Sequence, residues 1–150
     1  MVRLQTDEDA SLVAVVRRHA RERPDHCVLT WHDSFGESQD SLTYAELWGL
    51  SGAIADLLVK RGAKPGDRVM IAYPFGLSFM PGLIGCFRAG LVACSVYPPN
   101  PRQLASDMPK FEQFATDAGA KFACTSTKFM WLMRESAACL KPDAAASHVC

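Results

Sequence analysis

The side chains of this chain best equipped for chemistry are a hydroxyl- and amine-bearing run, Thr125-Ser126-Thr127-Lys128, six cysteines and four histidines. A phosphate-binding loop uses hydroxyls and a lysine, but also glycines that let backbone N–H groups close on an anion. The run from Thr125 to Lys128 contains no glycine, and neither G-x-x-x-x-G-K-[ST] nor G-x-G-x-x-G occurs in the sequence. It reads as a strand end followed by a helix cap. Cys27, Cys86, Cys94, Cys124, Cys139 and Cys150 form no C-x-x-C pair, and His19, His26, His32 and His148 lack metal-ligand spacing. No catalytic, cofactor-binding or metal-binding residue is therefore expected. Two aromatic–proline runs, Tyr73-Pro74-Phe75-Gly76 and Tyr97-Pro98-Pro99, end apolar segments. On sequence alone they read first as turns and core aromatics. The alternative is that Phe75 and Tyr97 wall an apolar tunnel.

Composition narrows the class. Sixteen basic residues balance sixteen acidic ones, and 49% of the 150 residues are hydrophobic. That is ordinary for a soluble globular domain and leaves no electrostatic footprint for nucleic acid or an anionic membrane. Residues 1–10 are mixed polar and acidic, unlike a signal peptide, so a reduced, cytoplasmic setting with free thiols is expected. Residues 69–87 carry no charge over a length that could cross a bilayer. Pro74, Gly76, Pro81, Gly82 and Gly85 interrupt them, so a buried strand followed by a buried helix explains the run better, and no membrane span is expected.

Helical spacing of Leu12, Val15, Val16 and His19 predicts a helix over 11–23, stopped by Pro24, with its basic end solvated. A short strand over 27–31 and a loop over 33–41 follow. Thr43 and Glu46 stand three apart as a capping box requires, with Leu42 and Leu47 placed for a hydrophobic staple. The stripe Leu47, Leu50, Ile54, Leu57, Leu58 continues that helix to Gly62. Lys64-Pro65-Gly66-Asp67 is a type II turn into a buried strand over 69–73. Ser78 is placed to cap a helix ending at Gly90, and a buried strand follows over 91–97. Leu104, Met108, Phe111, Ala115 and Ala118 mark a helix closed by Gly119. A third buried strand over 121–125 and a helix carrying Phe129, Leu132, Met133 and Leu140 complete the pattern. Strands alternating with helices imply an α/β fold, a mostly parallel sheet flanked by helices with right-handed crossovers.

Three elements in fixed order carry a family resemblance. Leu42-Thr43-Tyr44-Ala45-Glu46-Leu47, then Pro65-Gly66-Asp67-Arg68-Val69 after Gly62, then Arg88-Ala89-Gly90 leading to Tyr97-Pro98-Pro99, resemble the N-terminal portion of adenylate-forming (AMP-binding) enzymes. This is the superfamily of acyl-AMP ligases and acyl-CoA synthetases. The doubled proline followed by Asn100-Pro101-Arg102 looks most like the fatty acyl-AMP ligase branch.

The resemblance implies a ligase that activates a fatty acid with Mg-ATP to acyl-AMP and passes the acyl group to a phosphopantetheine thiol. The acceptor would be an acyl-carrier protein or coenzyme A. In that reading residues 1–150 are the incomplete N-terminal part of the AMP-binding domain, inactive alone, with residues 1–10 and 141–150 poorly ordered. The family's phosphate loop would lie beyond Cys150. A non-catalytic interaction or regulatory module derived from the same domain shares all of these residues. A freestanding nucleotide binder is disfavoured because no glycine-rich βα turn is available for a phosphate.

Overall fold

The computed structural model describes residues 11–138. The two ends expected to be poorly ordered, 1–10 and 141–150, lie outside the described residues, as does Leu140. The chain opens with α1 (Leu12–Glu22), whose cap Ser11 accepts the Ala14 N–H through Oγ at 3.1 Å. Its inner side carries Val15, the buried Val16 and His19. The His19 ring lies 5.0 Å from that of Tyr44, and the Arg23 guanidinium lies 5.6 Å over the same tyrosine. Part of the basic helix end is thus engaged rather than simply solvated.

The expected loop over 33–41 is corrected. Strand β1 (Cys27–His32) pairs antiparallel with β2 (Ser38–Thr43) in a hairpin of its own. The turn is closed by Asp33, whose Oδ1 accepts the N–H groups of Phe35 at 2.9 Å and Glu37 at 3.0 Å. Gly36 supplies the positive φ of 83°. The segment Ser-Gln-Asp-Ser-Leu-Thr has almost no apolar alternation, and its strand form comes from the partner's backbone rather than from side-chain burial.

Helix α2 (Tyr44–Lys60) starts on a complete capping box. The Glu46 N–H donates to Thr43 Oγ1 at 3.3 Å, and Glu46 Oε2 accepts the Thr43 N–H at 2.8 Å. Its buried face differs from the leucine stripe. Leu47, Ser51, Ala55 and Leu58 face inward with Ile54 beside them, while Leu50 is 47% and Leu57 40% exposed. Successive steps of 100° carry the inward line through a serine and an alanine, because a second helix comes too close for leucine there.

That second helix is α3 (Phe79–Arg88). A Cβ on Gly85 would stand 3.0 Å from the Ser51 carbonyl oxygen and 2.8 Å from Ile54 Cγ2, so the helices touch backbone to backbone. Arg88 locks the contact. Its guanidinium stacks 3.5 Å from the Trp48 ring centroid, donates to the Trp48 carbonyl, and reaches Ser51 Oγ at 3.0 Å. Burial lowers the Arg88 pKa while nearby Asp56 raises it. Ser78 precedes the helix but makes no side-chain cap, since its backbone is already helical and its Oγ cannot reach the first turn.

Strands β3 (Arg68–Ile71), β4 (Val92–Ser95) and β5 (Phe122–Cys124) form a parallel sheet in the order β4-β3-β5. They are shorter than the apolar runs that announced them. Val69, Met70 and Ile71 of β3 are fully buried, and Phe122 and Cys124 of β5 are buried. The expected burial of the strand over 91–97 is corrected: β4 is half-exposed, because α3 packs against it while α4 does not close over it. Helices α4 (Leu104–Ala118) and α5 (Thr127–Ala138) follow β4 and β5. Leu104 is buried, and Met108, Phe111, Ala115 and Ala118 are half-buried on one side of α4.

Three helices end alike. The Ala63 N–H bonds to the Leu58 carbonyl, Leu91 to Cys86 and Ala120 to Ala115, each past a left-handed glycine. Six-to-one closures of this kind turn the chain sharply into the next strand. Between the first of them and β3 stands the type II turn, with the Asp67 N–H donating to the Lys64 carbonyl at 2.9 Å. Asp67 then receives Lys121 Nζ at 2.8 Å and the Lys64 N–H at 2.9 Å, tying the start of β3 to the start of β5. Lys121, and after it the Lys64 N–H, hold the Asp67 carboxyl below its ordinary pKa. Cys86 and Cys124 are free thiols in the core, and the hydrogen bond with Cys86, together with burial, pushes the Cys124 thiol up. They pack as small hydrophobes.

Two predictions follow from these contacts. Thr43→Ala in the whole protein should cost about 1 kcal/mol, read as a lowered urea midpoint, since an α2 N–H loses its acceptor; an unmoved midpoint would remove Thr43 as the cap. The second concerns pH. Because the folded Asp67 pKa is depressed, its contribution is fully present above the unfolded carboxylate value of about 4 and is lost as pH falls through the folded value. The difference in melting temperature between wild type and Asp67→Asn should be constant near neutrality and shrink below about pH 4. A difference independent of pH would show the carboxylate to be immaterial.

Candidate functional site

The sheet order creates an opening. From β3 the chain crosses through α3 to β4 on one side; from β4 it returns through α4, past β3, to β5 on the other. Right-handed crossovers in opposite directions require the two helices to lie on opposite faces. The carboxyl ends of β3 and β4 are therefore left with a crevice between them, the usual place for ligands in open parallel sheets.

A cleft of about 700 Å³ occupies this position. Its walls are the two aromatic–proline runs singled out in the sequence: Tyr73 to Gly76 from the end of β3, and Ser95 to Pro101 from the end of β4. Phe75 and Tyr97 meet edge to face, ring centroids 5.6 Å apart at 80°. They are 77% and 73% exposed, so they stand at the mouth and are not packed in the core. Deeper in, Tyr73 lies against α3, where a Cβ on Gly82 would come within 2.5 Å of its ring. Thr125 Oγ1 donates to the Ala72 carbonyl at 2.7 Å, joining the ends of β5 and β3.

Three further aromatics, Trp31, Phe79 and Phe129, line the cleft and were not read as site residues from the sequence. Phe79 opens α3 and Phe129 lies in the first turn of α5. The first turn of a helix that follows a parallel strand sits at the strand's carboxyl end, so their positions were readable in principle. Trp31 arrives from the separate hairpin, and nothing in the local sequence signals that.

The cleft is an apolar container. Among the described residues, no carboxylate, lysine, arginine or histidine lines it. In the run Thr125 to Lys128, Thr125 Oγ1 is engaged by the Ala72 carbonyl, and Ser126 Oγ accepts the Phe129 N–H at 3.3 Å as the cap of α5. No cluster of three metal-ligating side chains forms among the described residues. The donor set of these residues fits neither a triphosphate nor Mg. No described helix is long and apolar enough to cross a membrane.

The other motif residues hold structure. Leu42 and Tyr44 flank the cap Thr43, and Leu47 packs in a core cluster with Val16 and Ile84. Pro65 and Gly66 form the turn held by Asp67; Gly66 donates to the Gly90 carbonyl at 2.8 Å. Ala89 and Gly90 close α3 behind Arg88. Pro98 and the buried Pro99 alone among them reach the cleft.

The family model for AMP-binding enzymes matches residues 16–149. The chain belongs to the AMP-binding enzyme family. It is 36% identical over 102 residues to a medium-chain-fatty-acid–[acyl-carrier-protein] ligase, JamA, of Moorena producens, covering 67% of this chain and 17% of that protein. It is 34% identical over 99 residues to Disco-interacting protein 2 of Drosophila melanogaster, covering 65% of this chain and 6% of that one. Among solved structures, the fatty acyl-adenylate ligase of L. pneumophila, in complex with acyl adenylate and pyrophosphate, superposes with a TM-score of 0.71 at 30% identity. That likeness covers 81% of this chain and 21% of that one. The chain thus spans about a fifth or less of the length of these relatives. The fold is that of the N-terminal subdomain of adenylate-forming enzymes, and fatty acyl-AMP ligases are among its structural neighbours, in line with the doubled proline.

From the edge-to-face contact of Phe75 and Tyr97, a double-mutant cycle over Phe75→Ala and Tyr97→Ala should give a coupling of about 0.5–1.5 kcal/mol in urea unfolding. Additive effects would show the two rings to be independent.

Proposed function

We propose that this chain is the N-terminal part of a ligase that activates a fatty acid with ATP to acyl-AMP and then passes the acyl group to a thiol. The observation that carries this reading is the apolar cleft at the crevice between β3 and β4, free of charged lining, in a chain of this family. Its occupant would be the hydrocarbon chain of the acid, with Phe75 and Tyr97 as walls at the mouth. An alkyl chain gains roughly 0.8 kcal/mol for each methylene taken out of water, so such a container binds by length more than by polar recognition. The names of the Moorena ligase and the L. pneumophila adenylate ligase support a fatty acid substrate. The Moorena name favours a carrier-protein acceptor, with coenzyme A the alternative.

ATP and Mg would be held by residues of the whole protein outside 1–150. There, aimed backbone N–H groups, a lysine and the metal would stabilise charge on the transferring phosphate. The present segment would contribute binding and orientation of the acid, in a cytoplasmic setting.

A second reading has its own support. Drosophila Disco-interacting protein 2 is named for an interaction, and its similarity suits a non-catalytic module built on the same domain. ATP–pyrophosphate exchange separates the two. The whole protein should exchange pyrophosphate in a fatty-acid-dependent manner, and residues 1–150 alone should not. Absence of exchange in the whole protein across medium- and long-chain acids would favour the module; exchange by residues 1–150 would overturn the division of labour.

A further inference from the structure

The outer wall of the cleft is a short strap, Pro98-Pro99-Asn100-Pro101, running from the end of β4 toward α4. Proline has no N–H, so across these four residues Asn100 carries the sole backbone donor. That donor is spent on one group: the Asn100 N–H bonds to Asp107 Oδ2 at 3.0 Å, seven residues on and in the first turn of α4. The rest of Asn100 organises the strap internally. Its side-chain oxygen accepts the Arg102 N–H at 3.0 Å, and its carbonyl accepts the Gln103 N–H at 2.9 Å. Asp107 is in turn steadied by Ser106 Oγ at 3.4 Å and Lys110 Nζ at 3.7 Å.

We infer that Asp107 is a positioning residue: by holding the strap to α4 it sets the width of the apolar cleft, and with it the length of chain the cleft accepts. A hydrogen bond to a charged acceptor is stronger than a neutral one, and the strap has no second N–H to share the load. Displacement of Pro98 and Pro99 moves the wall that Tyr97 continues, while Phe75 on the opposite wall stays with β3. The chain-length consequence rests on the acyl reading proposed above; the anchoring does not.

The test uses the whole protein as wild type, Asp107→Ala, Asp107→Asn and Lys110→Ala, each first checked for cooperative unfolding. Hydrogen exchange over residues 98–103 reads the anchor directly. The Asn100 amide should exchange about tenfold faster in Asp107→Ala. It should move little in Asp107→Asn, whose amide oxygen can still accept, and little in Lys110→Ala, since Lys110 meets Oδ1 and the Asn100 N–H meets Oδ2. Fatty-acid-dependent pyrophosphate release over a series of saturated acids reads the consequence. Asp107→Ala should raise KM for the wild type's preferred acid about fivefold with kcat held, and shift the preferred length, with Asp107→Asn restoring most of the profile. Unchanged exchange in Asp107→Ala overturns the anchor. Faster exchange with an unchanged length profile overturns its role in selectivity. If wild type releases no pyrophosphate with any acid, the acyl reading falls, and the exchange rates still decide whether Asp107 holds the strap.

Discussion

The backbone contact between α2 and α3 is the constraint on which the rest of this fold depends. At Gly85 the two helices approach until a single added carbon would strike the Ser51 carbonyl. Such an approach needs small residues on both sides and something to fix the rotation of one helix on the other. Arg88 fixes it, stacked on Trp48 and bonded to Ser51 and to the Trp48 carbonyl. With this pair set, the left-handed glycines at 62 and 90 deliver β3 and β4 into the sheet in parallel register, Arg68 opposite Val92. The cleft at the far end of those strands is a downstream result. Overpacking such a contact costs about 1–3 kcal/mol in a typical core, a large part of a domain's net stability.

Much of this was legible because it depends on neighbours along the chain. The capping box at Thr43 and Glu46, the type II turn at Pro65 and Gly66, and the glycine closures are local geometry written in residue types. The alternation of apolar runs and helical stripes conveyed the parallel sheet. Features made by tertiary pairing were not legible. Strand β2 is polar and exists because β1 offers it a ladder. Leu50 and Leu57 look like core residues, yet Ser51 and Ala55 are buried instead, because only small groups fit against α3. The burial of β4 was over-read, since an apolar run does not say how closely the flanking helices will cover the strand it forms.

The candidate site shows the same division. Phe75 and Tyr97 were visible as aromatics at strand ends, and the family motifs as a series. Their meeting at 5.6 Å could not be seen, because it depends on which strands are neighbours and in what register. The core packing favoured by the sequence alone gives way to exposure at the mouth of a cleft. Trp31 was invisible for the plainest reason: it comes from a different sheet.

The register of β3 and β4 has one more effect. Their last paired residues are Ile71 and Ser95, and the final rung runs from the Val96 N–H to the Ile71 carbonyl. Donors from β4 toward β3 recur at every second residue, at Val92 and Val96, and the next but one position is Pro98. Proline has no N–H, so β4 runs out of ladder donors there. The ladder between β3 and β4 therefore ends at that height, like a seam with a stitch left out. The opening in this protein is held in part by what the backbone is unable to do: one proline stops the pairing where hydrogen bonding would otherwise carry on.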